Sequence, residues 1–183
     1  MEMGLKLGAD VPFCIARGTM LAEGIGEVLT PLKPAPHLYV VLVKPPISVS
    51  TASVYKGLNL DRIQVHPDTP KMIAAIERQN AHEIAKHMAN VLEEVTIPMH
   101  PIIGELREEM AQQGAIGAMM SGSGSTVFGL FDSKEKANKA AHYFKVGRGI
   151  REVYVTTTYS PIEKKKSKNG VKSGIKRRGA KGC

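Results

Sequence analysis

The longest purely apolar stretch in this chain is residues 38–43, Leu-Tyr-Val-Val-Leu-Val, closed by Lys44-Pro45-Pro46. It is too short for a buried helix and rich in β-branched residues, so it predicts a central strand. Ser50 or Thr51 then caps a short helix ending near Gly57, and Thr69-Pro70 opens another with Met72, Ile73 and Ile76 on its buried side. Asn80 and Glu83 have capping-box spacing for a helix whose apolar positions are Ile84, Met88, Val91, Leu92 and Val95. Pro101 opens the next, with Ile102, Ile103, Leu106 and Met110 inward and Gly114 as its stop. The run Val127-Phe128-Gly129-Leu130-Phe131 predicts a second strand. Asp132 or Ser133 then caps a helix through about Val146, striped with Ala137, Ala140, Ala141 and Phe144. Residues 151–159 alternate and are rich in Val, Thr and Tyr, which predicts a last strand ended by Ser160-Pro161.

The N-terminal part reads differently. Gly8-Ala9-Asp10-Val11-Pro12-Phe13 suggests a helix end, a turn and entry to a strand, with Pro12 barring helix continuation. Residues 13–29, punctuated by Gly18, Gly24 and Gly26, predict short strands or a hairpin. Pro31, Pro34 and Pro36 make a stiff connector, and a domain boundary is placed there. From the connector onward the order is strand, several helices, strand, helix, strand, with room for one more short strand. That order predicts an α+β layer, helices on one face of a small, mostly antiparallel sheet.

Between the helix opened by Pro101 and the second strand lies Met119-Met120-Ser121-Gly122-Ser123-Gly124-Ser125-Thr126. Small residues let the backbone turn sharply and aim successive N–H groups outward, as an anion-binding nest does. The same residues also make an ordinary connecting loop. Asp10 stands at a turn, where a carboxylate can cap the turn or act as a base toward a hydroxyl. The six histidines are scattered, His82 and His87 five apart, so no metal site is expected. Glu93-Glu94 and Glu108-Glu109 read as solvated helix exteriors.

Bulk numbers alter this picture at one end. The chain has 183 residues, 43% of them apolar, enough for one core or one core and a fragment of another. Its net charge of +8 is concentrated in residues 162–183, which hold nine of the 25 basic residues and one of the 17 acids, leaving 16 of each before them. The body is neutral, and the tail reads either as a disordered extension or as an arm for nucleic acid or anionic membrane. Having no aromatic to stack on bases, the tail favours disorder, and nucleic acid is not expected as a partner. No apolar run nears the roughly 18 residues of a spanning helix, and the N-terminus lacks a signal-peptide pattern, so a cytoplasmic protein without a membrane partner is expected. Cys14 and Cys183 suggest neither a disulfide nor a metal site.

Two motifs in this order, Gly8-Ala9-Asp10-Val11-Pro12-Phe13 and Gly117-Ala118-Met119-Met120-Ser121-Gly122-Ser123-Gly124-Ser125-Thr126-Val127-Phe128-Gly129, together resemble the GHMP kinase superfamily. Two further segments, residues 22–31 and Ile47-Ser48-Val49-Ser50-Thr51-Ala52-Ser53-Val54-Tyr55, resemble its members of the non-mevalonate isoprenoid route, which act on a cytidylyl-linked polyol. The likeness runs from residue 1 to about 161. It implies a two-domain kinase with its active site in the cleft between domains, using ATP as co-substrate and Mg2+ with the nucleotide. The domains implied are 1–34, a remnant of the N-terminal (ribosomal protein S5 domain 2-like) domain; 35–161, a ferredoxin-like C-terminal domain; and 162–183, a basic tail. Asp10 would orient or deprotonate the attacking hydroxyl, Gly122, Ser123, Gly124 and Ser125 would flank the phosphates, and Thr51 and Tyr55 would bind substrate.

The superfamily also carries an N-terminal lysine beside the transferred phosphate and a Pro-x-x-x-Gly-Leu-Gly-Gly-Gly-Ser-Ser-like phosphate loop, and neither occurs in this sequence. The resemblance is therefore to the C-terminal portion of such a kinase. These 183 residues alone are not expected to turn over ATP, because the largest electrostatic contribution belongs to that loop. Surface left exposed without the N-terminal domain would favour self-association. Two other readings remain open: a homoserine- or mevalonate-type small-molecule kinase of the same superfamily, and a non-catalytic ferredoxin-like domain with an RNA-binding basic tail.

Overall fold

The computed structural model describes residues 8, 10–59, 63 and 66–159. The basic tail and the first seven residues lie outside the described residues, so the expectations for them stand as sequence readings.

The apolar run at 38–43 forms β3 (Tyr39–Lys44), an inner strand of a four-stranded antiparallel sheet. Its neighbours are β5 (Val127–Phe131) and β6 (Glu152–Thr157), and β4 (Gly117–Met120) pairs with β5, giving the order β4-β5-β3-β6. β4 takes up the room left for one more strand. The register sets Val43 opposite Val127 and Val153, and Val41 opposite Gly129 and Val155. With period-two alternation this puts Val41, Val43, Val127, Phe131 and Val153 on one face.

Two helices bury that face. From α6 (Pro101–Gln112) come Ile103, Leu106 and Met110, and from α7 (Lys134–His142) and the wider turn after it, Tyr143–Gly147, come Ala137, Ala140 and Phe144. Each large side chain so buried contributes about 1.5–3 kcal/mol. The ribbon order of strand, helices, strand, strand, helix, strand is the ferredoxin-like α+β arrangement expected.

Caps account for most helix starts. The Ser50 side chain accepts from Ser53 N–H at the head of α2 (Thr51–Gly57), Asn80 from Glu83 N–H at α4 (Ala81–Lys86), and Ser133 from Lys136 N–H at α7. At α3 (Thr69–Glu77) the cap is Asp68, one residue before the expected Thr69; its carboxylate accepts from Lys71 N–H. Hydrogen bonding to Lys71 holds the Asp68 carboxyl below its ordinary value, and the same bond raises the Lys71 ammonium.

Two expectations are corrected. Val11, Pro12 and Phe13 do not enter a strand; they begin α1 (Val11–Ala16), with the proline in its first turn, where a missing N–H is harmless. The hairpin follows as β1 (Met20–Glu23) and β2 (Val28–Pro31). The run of apolar positions from 84 to 95 is likewise not one helix. α4 stops at Lys86 and α5 (Glu93–Met99) starts anew, because the two ends serve different clusters. Ile84 joins Ala75, Ile76, Met72 and Leu32, whereas Leu92 belongs to the main core. A straight helix could not deliver both. Past Pro31 the proline connector has no regular secondary structure, and it is tied to the C-terminal end of α3 and the residues just after it by Lys33 Nζ on Glu77 O and by Gln79 Nε2 on Pro34 O.

Among the described residues no helix is long and apolar enough to cross a membrane.

Candidate active site

The glycine-rich residues 121–126 connect β4 to β5. Ser121 N–H donates to Thr126 O, and Gly124 N–H donates to Ser121 O, which closes a tight turn. Gly122 and Gly124 have φ of +56° and +94°, conformations glycine adopts without a Cβ clash. A Cβ at Gly122 would meet nothing within 4 Å, so this residue stands on the open side of the loop. One at Gly124 would come 2.9 Å from Met120 Sδ, so that residue faces the core.

Hydrogen bonds to four other segments fasten the loop. Thr51 Oγ1, in the first turn of α2, lies 2.8 Å from Ser123 Oγ and shares a hydrogen bond with it. Ser125, 6% exposed, donates its hydroxyl to Ile47 O. Thr96 of α5, fully buried, donates to Ser123 O at 3.3 Å. Asn90 donates from Nδ2 to both Met120 O and Gly122 O, at 2.9 and 2.8 Å. Glu93 accepts from Met120 N–H at 2.7 Å and is paired with Arg107 at 2.6 Å.

Of the expected site residues, Gly122, Ser123, Gly124 and Ser125 form this loop, and Thr51 is joined to it across 72 positions of sequence. Tyr55 lies one helical turn beyond Thr51 on α2, with its ring exposed. Asp10 is exposed at the N-terminus of α1, makes no capping bond there, and shares no hydrogen bond with the loop.

The sequence reading missed Asn90, Glu93 and Thr96. It also misplaced Glu93 and Glu109 as solvated surface. The Glu93 side chain is only 13% exposed and turned toward β4, and Glu109, 18% exposed, is paired with Arg148. One signal was present: Asn90 and Glu93 repeat the Asn-x-x-Glu spacing of Asn80 and Glu83. Beside the Asn90–Glu93 bracket opens a cavity of about 440 Å³, lined by Met88, Ile97, Pro98, Arg107 and Met119 among others.

A loop of small residues, hydroxyls at its rim and backbone donors on its open side can hold an oxyanion, and an anion there gains from preorganised N–H groups. Residues 72–147, which include this loop, match the family described as GHMP kinases C terminal. Over these residues the chain is similar to the C-terminal domain of GHMP kinases. It is 51% identical over 156 residues to a 4-diphosphocytidyl-2-C-methyl-D-erythritol kinase of Lachnoclostridium phytofermentans, covering 85% of this chain and 54% of that protein. A kinase of the same name from Lachnospira eligens is 44% identical over 161 residues, covering 88% and 56%. The crystal structure of a 4-(cytidine 5'-diphospho)-2C-methyl-D-erythritol kinase superposes with a TM-score of 0.72 at 29% identity, over 86% of this chain and 56% of that one. A homoserine kinase from Cytophaga hutchinsonii, 22% identical with a TM-score of 0.63 over 81% and 50% of the two chains, shares the fold. The chain thus spans about half the length of the relatives it matches.

Proposed function

We propose that this chain supplies one wall of the active site of a kinase that transfers the γ-phosphoryl group of ATP to the 2-hydroxyl of 4-diphosphocytidyl-2-C-methyl-D-erythritol, a step of non-mevalonate isoprenoid synthesis in the cytoplasm. The hydrogen bond between Thr51 and Ser123 carries the reading. It joins the segment resembling a substrate pocket to the loop resembling a phosphate site, as a phosphoryl transfer between two bound substrates requires. Identity of 44–51% to kinases bearing that substrate's name supports the choice of acceptor.

In this reading the domains divide as 1–34, 35–161 and the tail. The loop N–H groups and the Ser123 and Ser125 hydroxyls flank the phosphates, Thr51 bonds the acceptor, and the exposed Tyr55 ring offers a face to cytosine. Asp10 takes or orients the proton of the acceptor hydroxyl as its oxygen bonds the γ-phosphorus and the bridge to ADP breaks. Mg2+ enters on the nucleotide. Hydroxyl oxygens such as those of Ser123 and Thr51 are hard donors suited to such an ion. Turnover draws on a second phosphate loop that these 183 residues do not contain.

The test is a radiolabelled-ATP assay on the full-length gene product, with the cytidylyl-linked polyol, homoserine and mevalonate as rival acceptors. Label moving to the cytidylyl compound, with Asp10→Asn lowering kcat by about 100-fold or more, is the expected result. Transfer to homoserine or mevalonate instead would refute the acceptor. RNA binding that falls steeply with salt and disappears on deleting 162–183, without kinase activity, would refute the enzyme reading.

A further inference from the structure

We infer that Asn90 is a positioning residue for nucleotide binding, one that aims the Ser123 N–H of the phosphate loop at its ligand. The inference rests on the kinase reading above for the identity of that ligand, a nucleoside triphosphate.

β4 is an outer strand, and Met119 and Met120 stand opposite Phe128 and Val127. Ser121 N–H bonds Thr126 O, so Ser121 makes a hydrogen-bonded pair with Thr126, and Met120, one position back, belongs to the alternate pair whose N–H and C=O point away from β5. A further strand would normally take those two groups. Here two side chains do: Glu93 accepts from Met120 N–H, and Asn90 donates to Met120 O. Edge closure needs nothing more.

Asn90 does more. Its second amide hydrogen goes to Gly122 O at 2.8 Å, and its Oδ1 accepts from Leu92 N–H at 3.0 Å, so the side chain cannot rotate without losing bonds at both ends. In a trans peptide the C=O and the following N–H point in opposite directions. Drawing Gly122 O inward to Asn90 therefore turns Ser123 N–H outward. Among the described residues that N–H has no hydrogen-bond partner, and a Cβ at Gly122 would meet nothing within 4 Å, so the loop is open on that side. Thr96 makes a similar bond to Ser123 O, but the N–H opposite it, that of Gly124, is already spent on Ser121 O. Asn90 alone thus governs a loop donor that remains available to an anion.

The experiment compares Asn90→Asp and Asn90→Ala in the full-length gene product with Ser133→Ala, which removes the cap of α7 and leaves the loop untouched. Asn90→Asp keeps the shape and the acceptor for Leu92 N–H but sets a carboxylate oxygen against two carbonyls. ATP affinity is read by calorimetry, and the KM values for ATP and for the cytidylyl acceptor are read separately. The expected result is a loss of ATP affinity of about tenfold or more in both Asn90 variants, the acceptor KM changing by less than about twofold, and Ser133→Ala altering neither. Unchanged ATP affinity in the Asn90 variants overturns the inference. So does a parallel rise of both KM values that tracks lost thermal stability and is reproduced by Ser133→Ala, and so does failure of the wild-type protein to bind ATP. Wild-type protein that binds ATP in an Asn90-dependent way yet phosphorylates a different acceptor would refute the acceptor reading and leave the role of Asn90 standing.

Discussion

Replacing Gly124 by alanine tests whether the phosphate loop is set by the core beneath it. The residue has φ of +94°, and a methyl group there would lie 2.9 Å from Met120 Sδ and 3.4 Å from both Ile103 Cδ1 and Thr96 Cγ2. All three neighbours are fully buried, so the methionine, although flexible, has little room to withdraw. A left-handed backbone costs a side-chain-bearing residue about 1–2 kcal/mol. Overpacking a filled core adds about 1–3 kcal/mol, for a total of about 2–4 kcal/mol after partial repacking. Gly122→Ala is the internal control: φ is +56° and nothing lies within 4 Å of the added methyl, which leaves the backbone cost alone. Urea unfolding followed by circular dichroism, with a slope of about 2–3 kcal/mol per molar, should lower the midpoint by about 1–2 M for Gly124→Ala and by about 0.3–1 M for Gly122→Ala. Their effects on ATP binding should run the other way, because the methyl at Gly122 enters the space an anion would occupy. Equal losses of stability in the two variants would refute the claim that Gly124 is a packing residue and Gly122 a surface one.

The Thr51–Ser123 hydrogen bond predicts a coupling of about 0.5–1.5 kcal/mol in a double-mutant cycle of Thr51→Ala and Ser123→Ala, read by denaturation; strict additivity would mean the two hydroxyls act independently. Acid should weaken the fold through the helix starts. Hydrogen bonding from Lys136 holds the Asp132 carboxyl below its ordinary value of 3.8, and Ser133 does the same for Glu135. A depressed folded-state value means the stabilisation is complete above the ordinary value and is lost as pH falls through the lower one. Thermal melts taken from about pH 5 downward should therefore drop in midpoint, and Asp132→Asn should flatten the drop; a slope the asparagine leaves unaltered would count against this assignment.

What the sequence determined by itself is what short-range chemistry determines. The strand at 38–43 needs only its apolar β-branched run and the prolines after it. Ser50, Asn80 and Pro101 mark helix starts because a cap or a proline acts within three or four residues. The small-residue loop at 121–126 is legible for the same reason, since only glycine takes positive φ cheaply. Tertiary structure decided what lies between such signals. Val11-Pro12-Phe13 reads as a strand entry by local pattern, and the folded chain makes it a helix start. β4 hides in Gly-Ala-Met-Met, which has little strand propensity and becomes a strand by pairing with β5. The break between α4 and α5 exists because Ile84 and Leu92 are drawn to different clusters and because Asn90 spends its side chain on a loop 30 residues away. Glu93, on a helix and beside another acid, looks solvated until Arg107 and Met120 N–H are brought to it. The residues that could be expected in the site were those with a motif of their own. The ones that hold the site in shape, Asn90, Glu93 and Thr96, act across 27 to 32 positions of chain, and no local pattern encodes a partner at that distance.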